Sequence, residues 1–448
     1  MKRFVGADRE QGLLMPYDLC DWLPEDHLAR FIVDIVERLN LKTIYDQYNG
    51  RGSTAYDPKL LLSLLFYGYS TGTFSSRKIE AATYDSIAFR FIAGNHHPDH
   101  DTIANFRKRF LSEIKGWFKD ILLIGKELGI VKLGNIYIDG TKVQANASRH
   151  KAMSYDYMKR LEKQLEEEIE KLLDLAANKD EQEQDIDLDI PDEIKRRKDR
   201  LEKIKKAKEV VESRAKERYK EEKQEYDSKM ERRKIQENET GKKPKGRTPK
   251  APTSSPVDTD QYNFTDPESR IMKTANGFDQ CYNGQGAVND DMIIVGAYSN
   301  AHGNDKQEFI PTINAVPDEL GEISSAVADT GYFSEKNIND CQSEGIDPII
   351  STAREKHNTY LDSILNNEDN DADHGSTPAD KMNQVLRSKN GKEIYKRRKQ
   401  TVEPVFGIIK EVLGFRRFSL RGEFETDCEW TLVCLGYNLK RFFKLSMA

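Results

Sequence analysis

Three apolar residues, Ile136, Tyr137 and Ile138, run straight into an acid and a glycine, Asp139-Gly140. β-Branched and aromatic side chains in such a run fit a buried strand, and Asp-Gly favours a turn. A carboxylate at the exit of a buried strand costs folding free energy unless a cation, hydrogen bonds or a metal ion compensates it. An isolated Asp-Gly is also an ordinary turn, so the placement gains meaning only from partners elsewhere. Two segments offer them. Ser325-Ala-Val-Ala328 followed by Asp329-Thr-Gly-Tyr332 repeats the order strand, acid, turn. Glu403 precedes Pro404 in a segment whose Val402, Val405, Phe406 and Ile409 recur at helical spacing. Proline fits a first helical turn, so Glu403 is expected near a helix start, with Lys410 two turns later on the same face.

The first 130 residues read as helical. Asp57-Pro58 is an N-cap with proline at the first helical position, and the apolar run Leu60 to Tyr69 follows it. Ser75 and Ser86 open further short helices, and Thr102 or Asp101 is expected to cap another carrying Ile103, Phe106 and Phe110. Short helices with basic positions at Arg77, Lys78, Arg107, Lys108 and Arg109 suit a helix-turn-helix-like DNA-binding module and equally an ordinary bundle with solvated basic faces. His96, His97 and His100 lie in one loop, but no ligand pair at zinc-like spacing accompanies them. They read as a polar loop.

After Asp139-Gly140, Lys142 to Ala147 alternates and is expected to form a second, antiparallel strand. Composition then changes. Met158, Leu161, Leu165, Ile169 and Leu172 mark an amphipathic helix; Ile194, Leu201, Ile204 and Val211 mark another, beyond an acidic stretch from Asp180 to Glu193. The pair reads as a helical hairpin or coiled-coil arm. Residues from about 212 to 262 carry few apolar side chains and read as loosely ordered. Within them, Gly241 to Lys250 holds a Pro-Lys-Gly-Arg core in which Lys245 and Arg247 suit a DNA minor-groove contact or a basic linker. Gly277–Val288 and Met292–Ser299 around Asn289-Asp290-Asp291 read as a β-hairpin. A helix around Gln307 to Ala315, a helix capped by Ser334, a strand at Asp347–Ile350, a polar loop over 366–380 and a closing helix from Glu425 to Phe443 complete the reading.

The 448 residues carry a formal net charge of -6, so attraction to nucleic acid must come from local basic patches. Five scattered cysteines without a CxxC pair suggest reduced thiols in a cytoplasmic protein. No apolar run approaches the roughly 18 residues needed to cross a bilayer, and the amino-terminal residues lack a signal-peptide core.

Two strand-end aspartates and a helix-borne glutamate suit one chemistry in particular. Three convergent carboxylates stay ionised only when cations compensate them, and hard oxygen ligands select Mg²⁺ or Mn²⁺. Two such ions serve phosphodiester displacement, and Arg397, Arg398, Lys399 and Lys410 stand near enough in sequence to hold phosphates. The strand and helix order predicts an α/β domain.

At Tyr137-Ile-Asp139-Gly-Thr, Ala328-Asp329-Thr-Gly-Tyr332 and Thr401-Val-Glu403-Pro-Val-Phe-Gly-Ile-Ile-Lys410 the sequence resembles bacterial insertion-sequence transposases of the DDE type. Tyr56 to Leu60, Pro98 to Ile103 and Phe106-Arg107 resemble the amino-terminal module of that family. The resemblance implies an RNase H-like mixed sheet flanked by helices, with Asp139, Asp329 and Glu403 as catalytic, metal-binding acids. It implies a helical DNA-binding domain over 1–130, a catalytic domain split into 131–150 and 263–448, and a helical hairpin insertion with a basic linker over 151–262. It further implies binding of the element's terminal inverted repeats, cleavage at its ends, joining to target DNA, and a homo-oligomer, at least a dimer, on DNA. Two features depart from the family pattern. A tyrosine and an arginine are expected seven and four residues before the glutamate, where Lys396 and Lys399 stand; Tyr395 and Arg398 lie one residue earlier. The three tryptophans, Trp22, Trp117 and Trp430, lie outside the insertion, so a hairpin intermediate finds no support. A nuclease without strand transfer and a non-catalytic DNA-binding or coiled-coil assembly protein are the alternatives.

Overall fold

The structure, a computed structural model, describes residues 19–48, 54–179, 189–241, 248–275, 277–352 and 378–447. It divides into two compact units, one of Met1–Ala145 with Cys281–Ala448 and one of Asn146–Gln280. The first unit opens with α1 (Leu19–Trp22), α2 (Leu28–Arg38), α3 (Lys42–Tyr45), α4 (Pro58–Thr71), α5 (Ser76–Asp85), α6 (Ile87–Ile92), α7 (His100–Arg109) and α8 (Ile114–Glu127). The Asp57 side chain accepts from Lys59 N and Pro58 fills the first position of α4, as a helix start requires. The start of α7 differs from the sequence reading: Asp99 caps it, accepting from Thr102 N at 2.6 Å. The loop histidines are taken up locally, His100 by Glu80 and His97 by Thr83 and a stack on Tyr84.

The chain then enters β1 (Asn135–Gln144), and here a sequence expectation fails. Asp139-Gly140 makes no turn; a single strand runs through it for ten residues. Asp139 and Gly140 pair with Gly286 and Gln285 in an unbroken antiparallel register. The glycine serves close packing instead. A Cβ at Gly140 would stand 2.5 Å from Gln285 Nε2 and 2.9 Å from Asp305 Oδ1, so no larger residue fits without displacement.

The second unit holds β2 (Ala152–Ser154), α9 (Tyr155–Lys179), α10 (Ile190–Thr240), β3 (Gln261–Asn263) and β4 (Arg270–Thr274). β2 and β3 pair antiparallel. Met158, Leu161 and Leu165 of α9 pack with Ile204, Ala207 and Val211 of α10, the seam predicted from spacing. The expected loose order beyond about 212 is overturned: α10 continues to Thr240 and ends at Gly241 in a left-handed conformation. Lysine, arginine and glutamate are good helix formers, no proline or glycine interrupts the run, and Ala215 continues the buried seam.

β5 (Gly277–Asn289) leads back into the first unit, whose sheet continues with β6 (Ile294–Asn300), β7 (Ser325–Ala328) and β8 (Asp347–Ile350). In that unit the strand order is β6-β5-β1-β7-β8. β5 pairs antiparallel with β1 and β6, while β7 pairs parallel with β1 and β8, so the sheet is mixed. The predicted hairpin around Asn289-Asp290-Asp291 is β5–β6. The intervening helices are α11 (Phe309–Asn314) and α12 (Glu335–Ser343), the latter capped by Ser334 as expected. Most of the expected loop over 366–380 lies outside the described residues, and its last residues open α13 (Pro378–Arg387). α14 (Lys389–Arg398) and α15 (Val402–Gly407) follow. Past Gly407 the helix widens into a π-helical turn, Ile408–Val412, with Leu413 N donating to Ile408 O at 2.9 Å. The closing helix α16 (Glu423–Ser446) packs on β6, α4 and α8. Its Trp430 is fully buried and donates Nε1 to Gln285 O at 2.9 Å, while both polar atoms of the Asn438 amide bind Ile294.

Candidate active site

The three acids come together on one arginine. Asp139 lies in the middle of β1, Asp329 follows the last residue of β7, and Glu403 is the second residue of α15. Arg398, the last residue of α14, donates Nη1 to Glu403 Oε1 at 3.0 Å; the same nitrogen lies 4.0 Å from Asp139 Oδ2, and Nη2 lies 3.7 Å from Asp329 Oδ2. Its side chain is 9% exposed, against 20% for Asp139, 43% for Asp329 and 47% for Glu403. A buried guanidinium therefore supplies compensating charge to the three carboxylates, above all to Asp139, the least exposed of them. The one-residue offset of Arg398 does not carry it out of the site. Lys399, Gln400 and Thr401 separate α14 from α15, and the short turn folds Arg398 back onto Glu403.

Burial pushes the Asp139 carboxyl up to about 6, with Arg398 pulling it down and Asp329 and Glu403 pushing it up. Backbone N–H groups hold two of the acids: Gly140 N donates to Asp139 Oδ1 at 2.9 Å, and Gly331 N to Asp329 Oδ1 at 2.8 Å. Burial, then Asp139, Asp305 and Asp329, push the Tyr332 phenol far above its usual range, so that hydroxyl stays protonated. Lys410, in the π turn, donates Nζ to Lys142 O at 2.9 Å, and burial lowers its ammonium pKa. Among the described residues, no cluster of three or more His, Cys, Asp or Glu side chains is already arranged to hold a metal ion. Arg398 stands among the three carboxylates, within 4.0 Å of each. The donor set nevertheless fits a hard divalent cation: three oxygen ligands, one of them buried and reluctant to ionise without positive charge.

Two comparisons with family models match. One, described as Transposase domain (DUF772), matches residues 17–109. The other, described as Transposase DDE domain, matches residues 247–439, a span that holds Asp329 and Glu403. The chain belongs to the insertion-sequence transposases of the DDE type. The mixed sheet flanked by helices is accordingly the RNase H-like fold of that family, and the protein is a DNA transposase whose substrate is DNA. No curated protein and no solved structure gives a match.

The other sequence-derived DNA-binding candidates fall in different surroundings. Arg397 is exposed and reaches Asp290 in the β5–β6 turn, Nη1 to Oδ1 at 3.3 Å, where the Tyr137 hydroxyl also donates. Lys399 is exposed beside it. In the transposase's helical segment, Lys108 is exposed, whereas Arg107 donates Nη1 to the Tyr69 hydroxyl at 2.9 Å inside the fold. Lys245 and Arg247 lie outside the described residues. No helix among the described residues is long and apolar enough to cross a membrane.

Sequence reasoning missed a second cluster beside the acids, Lys142, Asn283, Gln285 and Asp305. The available signal was the pair Asn283 and Gln285, two amides one pleat apart on a strand otherwise built for burial. Buried amides are costly unless bonded.

Proposed function

We propose that the transposase binds the terminal repeats of its element, cleaves DNA at the element ends and joins them to target DNA, with Asp139, Asp329 and Glu403 as its catalytic acids. One observation carries the reading: three carboxylates from distant parts of the chain converge on Arg398, all within 4.0 Å. Structural ion pairs rarely need three acids around one buried base. The same carboxylates would hold Mg²⁺, or Mn²⁺ in its place. When bound, such ions supply Lewis-acid activation of water or a 3′-hydroxyl and charge stabilisation at the leaving oxygen.

The chain's own residues divide the remaining work. Asp139 is fixed within the sheet and keeps its carboxylate oriented through Gly140 N. Arg398 holds the acids together, and phosphate is the other planar anion its fork suits. Arg397 and Lys399, exposed at and just past the end of α14, and Lys410, in the π turn after α15, provide positive charge for the DNA backbone. The helical segment over residues 1–130, with Lys108 on its surface, reads the repeats, and two or more copies assemble on the paired ends.

The test is cleavage of labelled DNA bearing the element's ends, with Mg²⁺ and with chelator, by the wild type and by Glu403→Ala. Metal-dependent nicking at the ends that Glu403→Ala loses, with end binding retained, is the expected result. Nicking without joining would move the assignment to a nuclease. Binding without cleavage in any metal would sink the catalytic reading.

A further inference from the structure

Asp305 belongs to none of the motifs above, yet three side-chain donors meet on one of its oxygens. Its Oδ1 accepts from Lys142 Nζ at 3.0 Å, Asn283 Nδ2 at 2.7 Å and Gln285 Nε2 at 3.0 Å. Asn283 and Gln285 are fully buried on β5, directly opposite Lys142 and Gly140 of β1. Asn283 leaves its own Oδ1 buried without a partner, so this amide is kept for what it donates to Asp305. Gln285 turns its other end to the Asp329 loop, where Oε1 accepts from the Tyr332 hydroxyl at 2.6 Å. Asn337 Nδ2 completes the tie by donating to Lys306 O and Tyr332 O, both at 2.7 Å.

The cluster touches the acids through two glycines. Gly140 N binds the Asp139 carboxylate and Gly331 N binds the Asp329 carboxylate. A Cβ at Gly140 would lie 2.9 Å from Asp305 Oδ1, and one at Gly331 would lie 3.9 Å from Asp305 Cβ. Both glycines that hold an acid thus rest against the same side chain. We infer that Asp305 is a positioning residue which sets the separation of the Asp139 and Asp329 carboxylates for divalent-metal binding. Its carboxylate locks Lys142, Asn283 and Gln285, and these lock the Gly140 backbone and the Tyr332 turn. Charge-assisted bonds in a partly buried network are stiff, and residues behind metal ligands commonly tune affinity by about 10–100-fold.

This inference rests on the metal-binding reading proposed above, and its test separates the two. Mn²⁺ binding to the full chain is followed by electron paramagnetic resonance in wild type, Asp139→Ala, Asp305→Asn and Asp305→Ala. Cleavage is measured against metal concentration, and melting temperature and end-DNA affinity serve as controls. The expectation is Mn²⁺ binding weakened about tenfold or more in Asp305→Ala, with a smaller loss in Asp305→Asn, which keeps one acceptor oxygen. The metal concentration for half-maximal cleavage rises in parallel, while end-DNA affinity stays within about twofold. Should Asp305→Ala fail to fold, Asp305→Asn carries the test. Both variants binding Mn²⁺ within about twofold of wild type, while Asp139→Ala loses it, would overturn the positioning role alone. A wild type that neither binds Mn²⁺ nor cleaves would take down the metal reading and this inference with it.

Discussion

Asp139→Asn should make the metal-free protein more stable at neutral pH while destroying its activity. Burial holds the Asp139 carboxyl at about 6 in the folded chain, against an ordinary value of 3.8. The shift is about two units, and at about 1.36 kcal/mol per unit the ionised carboxylate costs the native state about 3 kcal/mol. The sign follows from proton binding. Between about pH 4 and 6 the folded state holds this proton more tightly than the unfolded chain, so stability falls as pH rises through that window. Below it the group is neutral in both states and the penalty vanishes; above it the penalty is complete. Asparagine keeps the shape and removes the charge, and the shift already includes the attraction to Arg398, which keeps Asp329 and Glu403; what offsets part of the gain is the amide NH2, which needs acceptors of its own in that pocket. The net gain is therefore about 1–3 kcal/mol at pH 7.5, shrinking toward zero near pH 4. Denaturant unfolding in chelator, followed by tryptophan fluorescence, reads the relevant unit, because Trp22, Trp117 and Trp430 all lie in it. Added Mg²⁺ should stabilise the wild type, by about 2.7 kcal/mol at a hundred times its dissociation constant, and the variant far less. A variant no more stable than wild type at pH 7.5, or one whose gain is the same at pH 4, would refute the reasoning.

Three further outcomes follow from the same geometry. Arg398→Met removes the one side-chain cation that, among the described residues, lies within 4.0 Å of all three acids, so the Asp139 carboxyl moves above its already raised value; at limiting metal, the pH–rate profile for cleavage should shift to higher pH, and an unchanged profile would count against Arg398 as the compensating charge. Gly140→Ala drives a Cβ into Gln285 and Asp305 and should cost about 1–3 kcal/mol with loss of cleavage, measured by unfolding and end-nicking side by side. Met158→Ala empties a fully buried position in the α9–α10 seam and should cost that unit about 2–5 kcal/mol, seen as faster amide exchange across residues 155–179 with little change in tryptophan fluorescence.

Much of the site was legible because its signals are local. The β7 strand and Asp329, the N-terminal position of Glu403, and the β5–β6 hairpin all follow from periodicity, turn residues and proline placement within a few positions. What the sequence hid depends on distant neighbours. Asp-Gly reads as a turn unless one knows that Gln285 and Asp305 press against Gly140. The length of α10 was hidden because beyond about residue 212 the helix is polar on nearly every face and shows no apolar stripe; there its helix-forming lysines, arginines and glutamates carry it to Thr240. Arg398 was named from sequence as a phosphate ligand. Its present role, bonded to Glu403, follows from the turn at Lys399–Thr401, which no periodicity reports.

The failed turn at Asp139 bears on how the site can move. Mid-strand, its backbone is held by β5 on one side, while the parallel β7 pairs with the residues before it, Asn135 to Tyr137. The end of β1 is tied as well, since Gln144 N donates to Arg416 O and Phe418 N to Gln144 O. Asp139 is thus the fixed point of the triad. Asp329 sits past a strand end and Glu403 at a helix start that opens into a π turn, a conformation that often marks functional adjustment in helices. Their side chains are also more than twice as exposed as that of Asp139. Any rearrangement that frees the carboxylates from Arg398 when a cation or DNA arrives must therefore come from the Asp329 loop and the α14–α15 turn. Amide exchange on adding Mg²⁺ should change at residues 329–333 and 398–412 and stay constant at 136–143; a change centred on β1 instead would contradict that account.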